Sequence, residues 1–192
     1  MRICVYGAGS TKIKSKYIDE SYRLGEEIAK RGHSLVFGGG STGVMGAVSK
    51  GALDNNGKVI GIAPKWMEKF EGICRECDEF IYTESMKERK NLFLEKSDAF
   101  IIAPGGIGTL EELFEIITWK QLGLYPKPIV ILNTNGFFDK VLSFLDQLIE
   151  QNFMREEHKK MWKVVDKAEE ILPAIRSFEA WDNSFRKIAA IK

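Results

Sequence analysis

Histidine is scarce in this chain. Of 192 residues only His33 and His158 carry an imidazole, and neither stands beside a cysteine pair at ligand spacing. That scarcity argues against a histidine-ligated metal centre and against a Ser-His-Asp hydrolase. Cysteine is almost as rare. Cys4, Cys74 and Cys77 make an odd count, which suits reduced thiols and a cytoplasmic home better than a disulfide framework. Cys74 and Cys77 form a lone CxxC, half of a zinc site or a redox pair. With no second pair to complete either, the expectation is two unremarkable thiols beside a strand. No apolar run approaches a membrane span, and the opening run up to Gly7 is too short for a secretion signal. The formal net charge is only +1, so nothing general draws the chain to nucleic acid or to an anionic membrane. Any anion it binds must be held by a local site. A Walker-type Gly-Lys-Ser/Thr is also missing, which removes P-loop hydrolysis of ATP.

What is present is an alternation. Short apolar runs at Arg2–Tyr6, Ser34–Phe37, Lys58–Ile62, Glu79–Thr83, Ala99–Ala103, Pro128–Leu132 and Lys163–Val165 are predicted strands. Between them lie helical patterns at Lys16–Lys30, Gly43–Asn55, Met86–Lys96, Leu110–Leu122, Phe137–Gln151 and Lys167–Arg176. Strand–helix alternation predicts an α/β, doubly wound (Rossmann-like) parallel sheet with helices on both faces. Runs such as Ala99-Phe100-Ile101-Ile102-Ala103 are apolar throughout, as strands covered on both faces should be. No repeat or linker divides residues 1–192, so one domain is expected, with 177–192 a tail whose Phe178, Trp181 and Phe185 pack on the body.

In open sheets of this class the ligand sits beyond the carboxyl ends of the strands. Three glycine loops fall at such ends: Gly7-Ala8-Gly9-Ser10-Thr11, Gly38–Gly46, and Pro104-Gly105-Gly106-Ile107-Gly108-Thr109. Close backbone approach and free N–H groups at a following helix start make such loops phosphate cradles. One loop alone would be only a tight turn; three on one sheet edge favour an anion site. Gly38-Gly39-Gly40-Ser41-Thr42-Gly43 fits the dinucleotide pattern GxGxxG. The next strand, Val59-Ile60-Gly61-Ile62-Ala63-Pro64, lacks the carboxylate that should hold the ribose, so a nicotinamide cofactor is not expected. No cofactor and no metal are expected at all.

The third loop carries a carboxylate. On spacing alone Thr109 as N-cap with Glu112 at N3 is a capping box, and Ser85-Met86-Lys87-Glu88 is a second. Two fixed charges, Arg89 and Lys90, follow another strand end and shift Glu112 toward chemistry. Glu112 at a helix start is expected to stay ionised.

These residues also carry a resemblance. Pro104-Gly105-Gly106-Ile107-Gly108-Thr109-Leu110-Glu111-Glu112 fits PGGxGTxxE, and Met86-Lys87-Glu88-Arg89-Lys90 looks like a second signature of the same family. The chain thus resembles the Lonely Guy family of cytokinin riboside 5′-monophosphate phosphoribohydrolases, long misnamed lysine decarboxylases. The resemblance covers nearly the whole chain, including Gly38–Gly46, Thr118–Gly123 and Leu132–Phe138. It implies a hydrolase that cuts the N-glycosidic bond of a nucleoside 5′-monophosphate, with Arg89 and Glu112 as the catalytic pair. It further implies substrate contacts at Gly39, Gly40, Glu71, Met86, Lys90, Gly105, Gly106, Ile107, Gly108, Thr109 and Thr118. The family is generally dimeric, and four aromatics without an obvious core role (Trp119, Tyr125, Phe137, Phe138) suit a homodimer with an interface on the order of 1,600 Å² or more. Departures at Lys87 and Tyr125, where the family often has histidine, bear on the choice of base. Two other functions compete: a non-catalytic nucleotide or molybdenum-cofactor carrier, which needs the cradle but not the Arg89–Glu112 pair, and a general nucleotide nucleosidase.

Overall fold

The computed structural model describes residues 1–70 and 72–181. Seven parallel strands form one sheet: β1 (Arg2–Tyr6), β2 (Ser34–Phe37), β3 (Val59–Pro64), β4 (Glu79–Thr83), β5 (Ala99–Ile102), β6 (Ile129–Leu132) and β7 (Lys163–Val165). Their order is β4-β3-β2-β1-β5-β6-β7, so the chain winds outward from β1 in one direction and then returns to its other side at β5. That reversal opens a crevice beyond the ends of β1 and β5.

Among the described residues six α-helices cover the sheet: α1 (Ser15–Lys30), α2 (Gly43–Asp54), α3 (Met86–Lys96), α4 (Ile107–Gln121), α5 (Asp139–Glu150) and α6 (Ala168–Arg176). The period-2 alternation of a strand divides the core in two. From β1, Ile3 and Val5 join Leu24 and Ile28 of α1, Val44 and Val48 of α2, and Ile171 of α6. Cys4 and Tyr6 face the other way, onto Phe93 of α3, Leu113 and Ile116 of α4 and Leu145 of α5. All four residues of both β5 and β6 are buried, which is why those strands carry no polar position.

Element boundaries differ from the sequence reading by a few residues, and one difference matters. Helix α4 begins at Ile107 with Gly106 as N-cap, three residues before the predicted start. Thr109 and Glu112 therefore lie inside the helix, and the capping box expected there does not exist. The box expected at Ser85 does form in part. Ser85 Oγ accepts the Glu88 N–H at 3.2 Å, while the Glu88 carboxylate turns back to the Glu84 N–H at 2.8 Å.

Two of the four aromatics assigned to an interface belong to the core instead. Phe138 is fully buried, and its N–H is held by Asn133 Oδ1 at 2.7 Å. Tyr125 packs edge-on to Phe100 at 5.1 Å between ring centres. Only Phe137 is exposed, with Trp119 partly so. Of the tail, Trp181 is buried in the α3–α5 side of the core, and the Phe178 ring lies 4.0 Å from Lys120 Nζ. Phe185 and the rest of 182–192 lie outside the described residues.

Candidate functional site

The three glycine loops meet at the crevice. The first is stitched to the third by Ala8 N–H on the Pro104 carbonyl (3.1 Å), and to the second by Thr42 Oγ1 on the Gly9 carbonyl (2.6 Å) and Met45 N–H on the Ala8 carbonyl (3.2 Å). This close stitching explains Gly43. Its φ is +64°, and a Cβ there would sit 2.6 Å from the Ala8 and Ser10 carbonyl oxygens. Gly105 is constrained by packing, since a Cβ would meet Thr109 Oγ1 at 2.1 Å.

Together the loops wall a cleft of about 420 Å³. Its floor is Tyr6 with Gly7, Ala8, Gly9 and Ser10; one side is Gly38 and Met45; the other is the start of α4. Because α4 begins early, the N–H groups free of helical partners are those of Ile107, Gly108 and Thr109. They form the positive end of a 15-residue helix at the rim, a natural seat for an anion.

Arg89 and Glu112 both reach this cleft. Helix α3 delivers Arg89 from beyond the end of β4 into the space between β3 and the second loop. The arginine is 6% exposed. Its Nε donates to the Ile62 carbonyl at 3.1 Å, its guanidinium sits 5.3 Å over the Phe93 ring, and Met67 and Met86 sulfurs flank Nη1 at 3.7 and 3.8 Å. Among the described residues it makes no salt bridge, and its partners are the Ile62 and Gly38 carbonyls. Glu112, on the second turn of α4, is partly buried. Burial pushes its carboxyl up to about 7, and the nearby Arg89 charge only partly opposes this. The expectation of a fully ionised Glu112 thus needs correction. At its place in α4 the dipole has faded, and desolvation dominates.

The other expected contacts divide. Met86, Gly106, Gly108 and Thr109 line the cleft with Arg89 and Glu112. Gly39, Gly40 and Gly105 are not among the residues that line it. Ile107 points its side chain to solvent, 83% exposed, and only its backbone belongs to the helix start. Lys90 is tied by Glu111 and Glu115 of α4 at 2.5 and 3.1 Å, between the two helices. Thr118 is exposed three turns along α4, its hydroxyl donating to the Phe114 carbonyl at 2.7 Å. Glu71 lies outside the described residues.

Sequence reasoning missed Tyr6, Met45 and Met67 as cleft walls. Tyr6 had one signal, its place as the last residue of a strand before a glycine loop. Met67 sits in a 3-10 turn, Lys65–Lys69, that no periodicity announces. Among the described residues no group of three or more His, Cys, Asp or Glu is placed to hold a metal. No helix there is long and apolar enough to cross a membrane.

Residues 45–175 match the family described as "Possible lysine decarboxylase". The chain is 40% identical over 189 residues to the cytokinin riboside 5′-monophosphate phosphoribohydrolase LOG of Oryza sativa subsp. japonica, covering 95% of this chain and 78% of that protein. It is likewise 40% identical over 177 residues to the enzyme of the same name, LOG3, of Arabidopsis thaliana, covering 92% and 82%. Among solved structures, the molybdenum cofactor carrier protein of Chlamydomonas reinhardtii superposes with a TM-score of 0.69 at 25% identity, over 92% of this chain and 96% of that one. A motif pair, a fold and 40% identity along nearly the whole chain converge: this protein belongs to the Lonely Guy phosphoribohydrolase family, the one described as possible lysine decarboxylases.

Proposed function

We propose that the chain is a phosphoribohydrolase that cleaves the N-glycosidic bond of a nucleoside 5′-monophosphate, of cytokinin riboside or AMP type, to free base and ribose 5-phosphate. The observation that carries this reading is the meeting of a buried Arg89 and a proton-poised Glu112 on one glycine-walled cleft. The 40% identity to proteins bearing that enzymatic name supports it.

In this mechanism the 5′-phosphate rests on the first loop and on the free N–H groups of Ile107, Gly108 and Thr109. Arg89 holds substrate oxygens and fixes the ribose against Glu112. Cleavage passes through an oxocarbenium-like sugar, and a carboxylate beside it stabilises the cation and takes a proton from the attacking water. A carboxyl near 7 holds both protonation states at neutral pH, the condition for efficient proton transfer. Met45, Met67 and Met86 give the cleft an apolar wall for the base. Phosphate binding energy is spent on orienting the reacting bond, which places the phosphate among the requirements for turnover.

A carrier protein needs the cradle alone. Incubating the chain with a panel of nucleoside 5′-monophosphates and measuring released base separates the two: turnover supports the hydrolase, whereas tight binding with no base released makes the chain a carrier.

The same reading makes the enzyme a single-domain cytoplasmic homodimer. Free thiols at all three cysteines suit the compartment. Phe114, Leu122 and Leu124, exposed along α4 and the turn after it, suit an interface.

A further inference from the structure

Behind the cleft wall lies a second arrangement that the hydrolase mechanism does not use. Residues 72–74 run as a strap alongside the second glycine loop. Ser41 N–H donates to the Gly72 carbonyl and Cys74 N–H to the Gly39 carbonyl, both at 2.8 Å, and Ile73 bridges Gly40 in antiparallel fashion. The strap ends in a two-residue turn, Arg75-Glu76, with Cys74 and Cys77 at its two ends. Such a turn brings its ends to within about 7 Å, close to the ~4.4–6.8 Å that a disulfide spans. The two thiols face each other, both free. Both line a groove of about 330 Å³ shared with Arg75, Phe80, Tyr82 and Glu68, where Cys77 is partly exposed and Cys74 is 7% exposed.

We propose that Cys74 and Cys77 are a redox-active dithiol, oxidised to an intramolecular disulfide by a small disulfide of the glutathione class, and that the strap transmits this change to the glycine loop Gly38–Gly46. The Cys74 thiolate attacks one sulfur of the small disulfide, whose S–S bond breaks and whose other half leaves as a thiolate. Cys77 then gives up its proton, its sulfur attacks Cys74 in the mixed disulfide, and the second small thiol departs. The dithiol loses two electrons and the small disulfide gains them.

Their surroundings push the two thiols in opposite directions. The Cys77 S–H, with the Glu76 and Cys77 backbone N–H groups, stabilises the Cys74 thiolate and lowers it to about 7 against the cost of burial. Cys77 is pushed up by its contact with Cys74, by burial and by the charges of Asp78 and Glu76. A metal site is the weaker use of the pair, since two thiols leave a tetrahedral ion half-ligated and no third ligand clusters there among the described residues. Closing an S–S bond of ~2.05 Å draws the thiols together and pulls on Cys74, whose N–H holds Gly39. The neighbouring Gly38 carbonyl lies 3.5 Å from Arg89 Nη2, so the strain ends at the cleft.

The test equilibrates the full chain in buffers of increasing oxidised-to-reduced glutathione ratio, followed by thiol alkylation and intact mass. Wild type should lose two alkylatable thiols together, with a mass two hydrogens lighter and Cys4 unaffected. Cys77→Ser should instead accumulate a glutathione adduct on Cys74. Three free thiols at every ratio, or an adduct that persists in wild type, would overturn the dithiol. This readout does not depend on what the cleft binds. Hydrogen–deuterium exchange over Gly38–Gly46 should differ at least threefold between oxidised and reduced wild type and revert with dithiothreitol. Identical exchange in the two states overturns the coupling.

Discussion

At the scale of the residue, the chemistry rests on Glu112 and its neighbour Arg89. With the capping box gone, Glu112 has no structural task in starting α4, so Glu112→Gln isolates its chemistry. We expect kcat to fall about 10²-fold or more, the scale of a lost acid–base or electrostatic group. Because the ionised form acts, log kcat/KM of wild type should rise with pH and level off above about 7, and the variant should lack that limb. Losses in Glu112→Gln and Arg89→Ala should not add in the double variant, since the two act as a unit.

Stability offers an independent check of the same group. The folded chain holds the Glu112 proton more tightly than the unfolded chain does, so its contribution falls as pH rises from 4.5 to about 7 and is constant above. Glu112→Gln removes that dependence. Its Tm, equal to wild type near pH 4, should exceed it at pH 8; a Tm difference independent of pH contradicts the buried, proton-poised carboxyl.

At the scale of the element, the strands and helices were legible because apolar runs and 3.6-residue periods are strong local signals. The start of α4 was not. Gly106 caps it without a side chain, and Ile107-Gly108 has the composition of a loop, so the first recognisable cap was Thr109, three residues late. The resemblance implied a substrate contact at Lys90; a helix turns 100° per residue, and that step from Arg89 brings Lys90 to Glu115 and to Glu111, which itself lines the cleft. Tyr125 and Phe138 looked spare because each follows a turn signal, yet burial against Phe100 and β6 uses both. Of the methionines on the cleft wall, Met86 stands in a signature, whereas Met67 carries no pattern at all.

The N-terminus of α4 gives the prediction at this scale. Gly105→Ala drives a methyl against Thr109 and shifts the helix start. Affinity for a nucleoside 5′-monophosphate should drop at least tenfold, with stability lower by about 1–3 kcal/mol, as overpacking costs. Isothermal titration and thermal unfolding measure both; unchanged affinity would move the phosphate away from this loop.

For the molecule as a whole, the topology explains why residues so distant in sequence share one site. The reversal at β1 and β5 puts the loops after both strands side by side, and the loop after β2 and the helix after β4 close the remaining sides. Assembly adds one expectation. Light scattering at micromolar concentration should give about twice the 21.8 kDa of one chain, and a monomer there contradicts the homodimer.

The most direct measurement of the central claim is proton NMR of product release from a nucleoside 5′-monophosphate and from the same nucleoside without phosphate, at equal enzyme. Several charge-assisted phosphate contacts, each about 1.5–3 kcal/mol, should favour the monophosphate by orders of magnitude in kcat/KM. The monophosphate should give free base and ribose 5-phosphate, and the nucleoside almost nothing. Equal rates from both, or no base from any monophosphate, would contradict it.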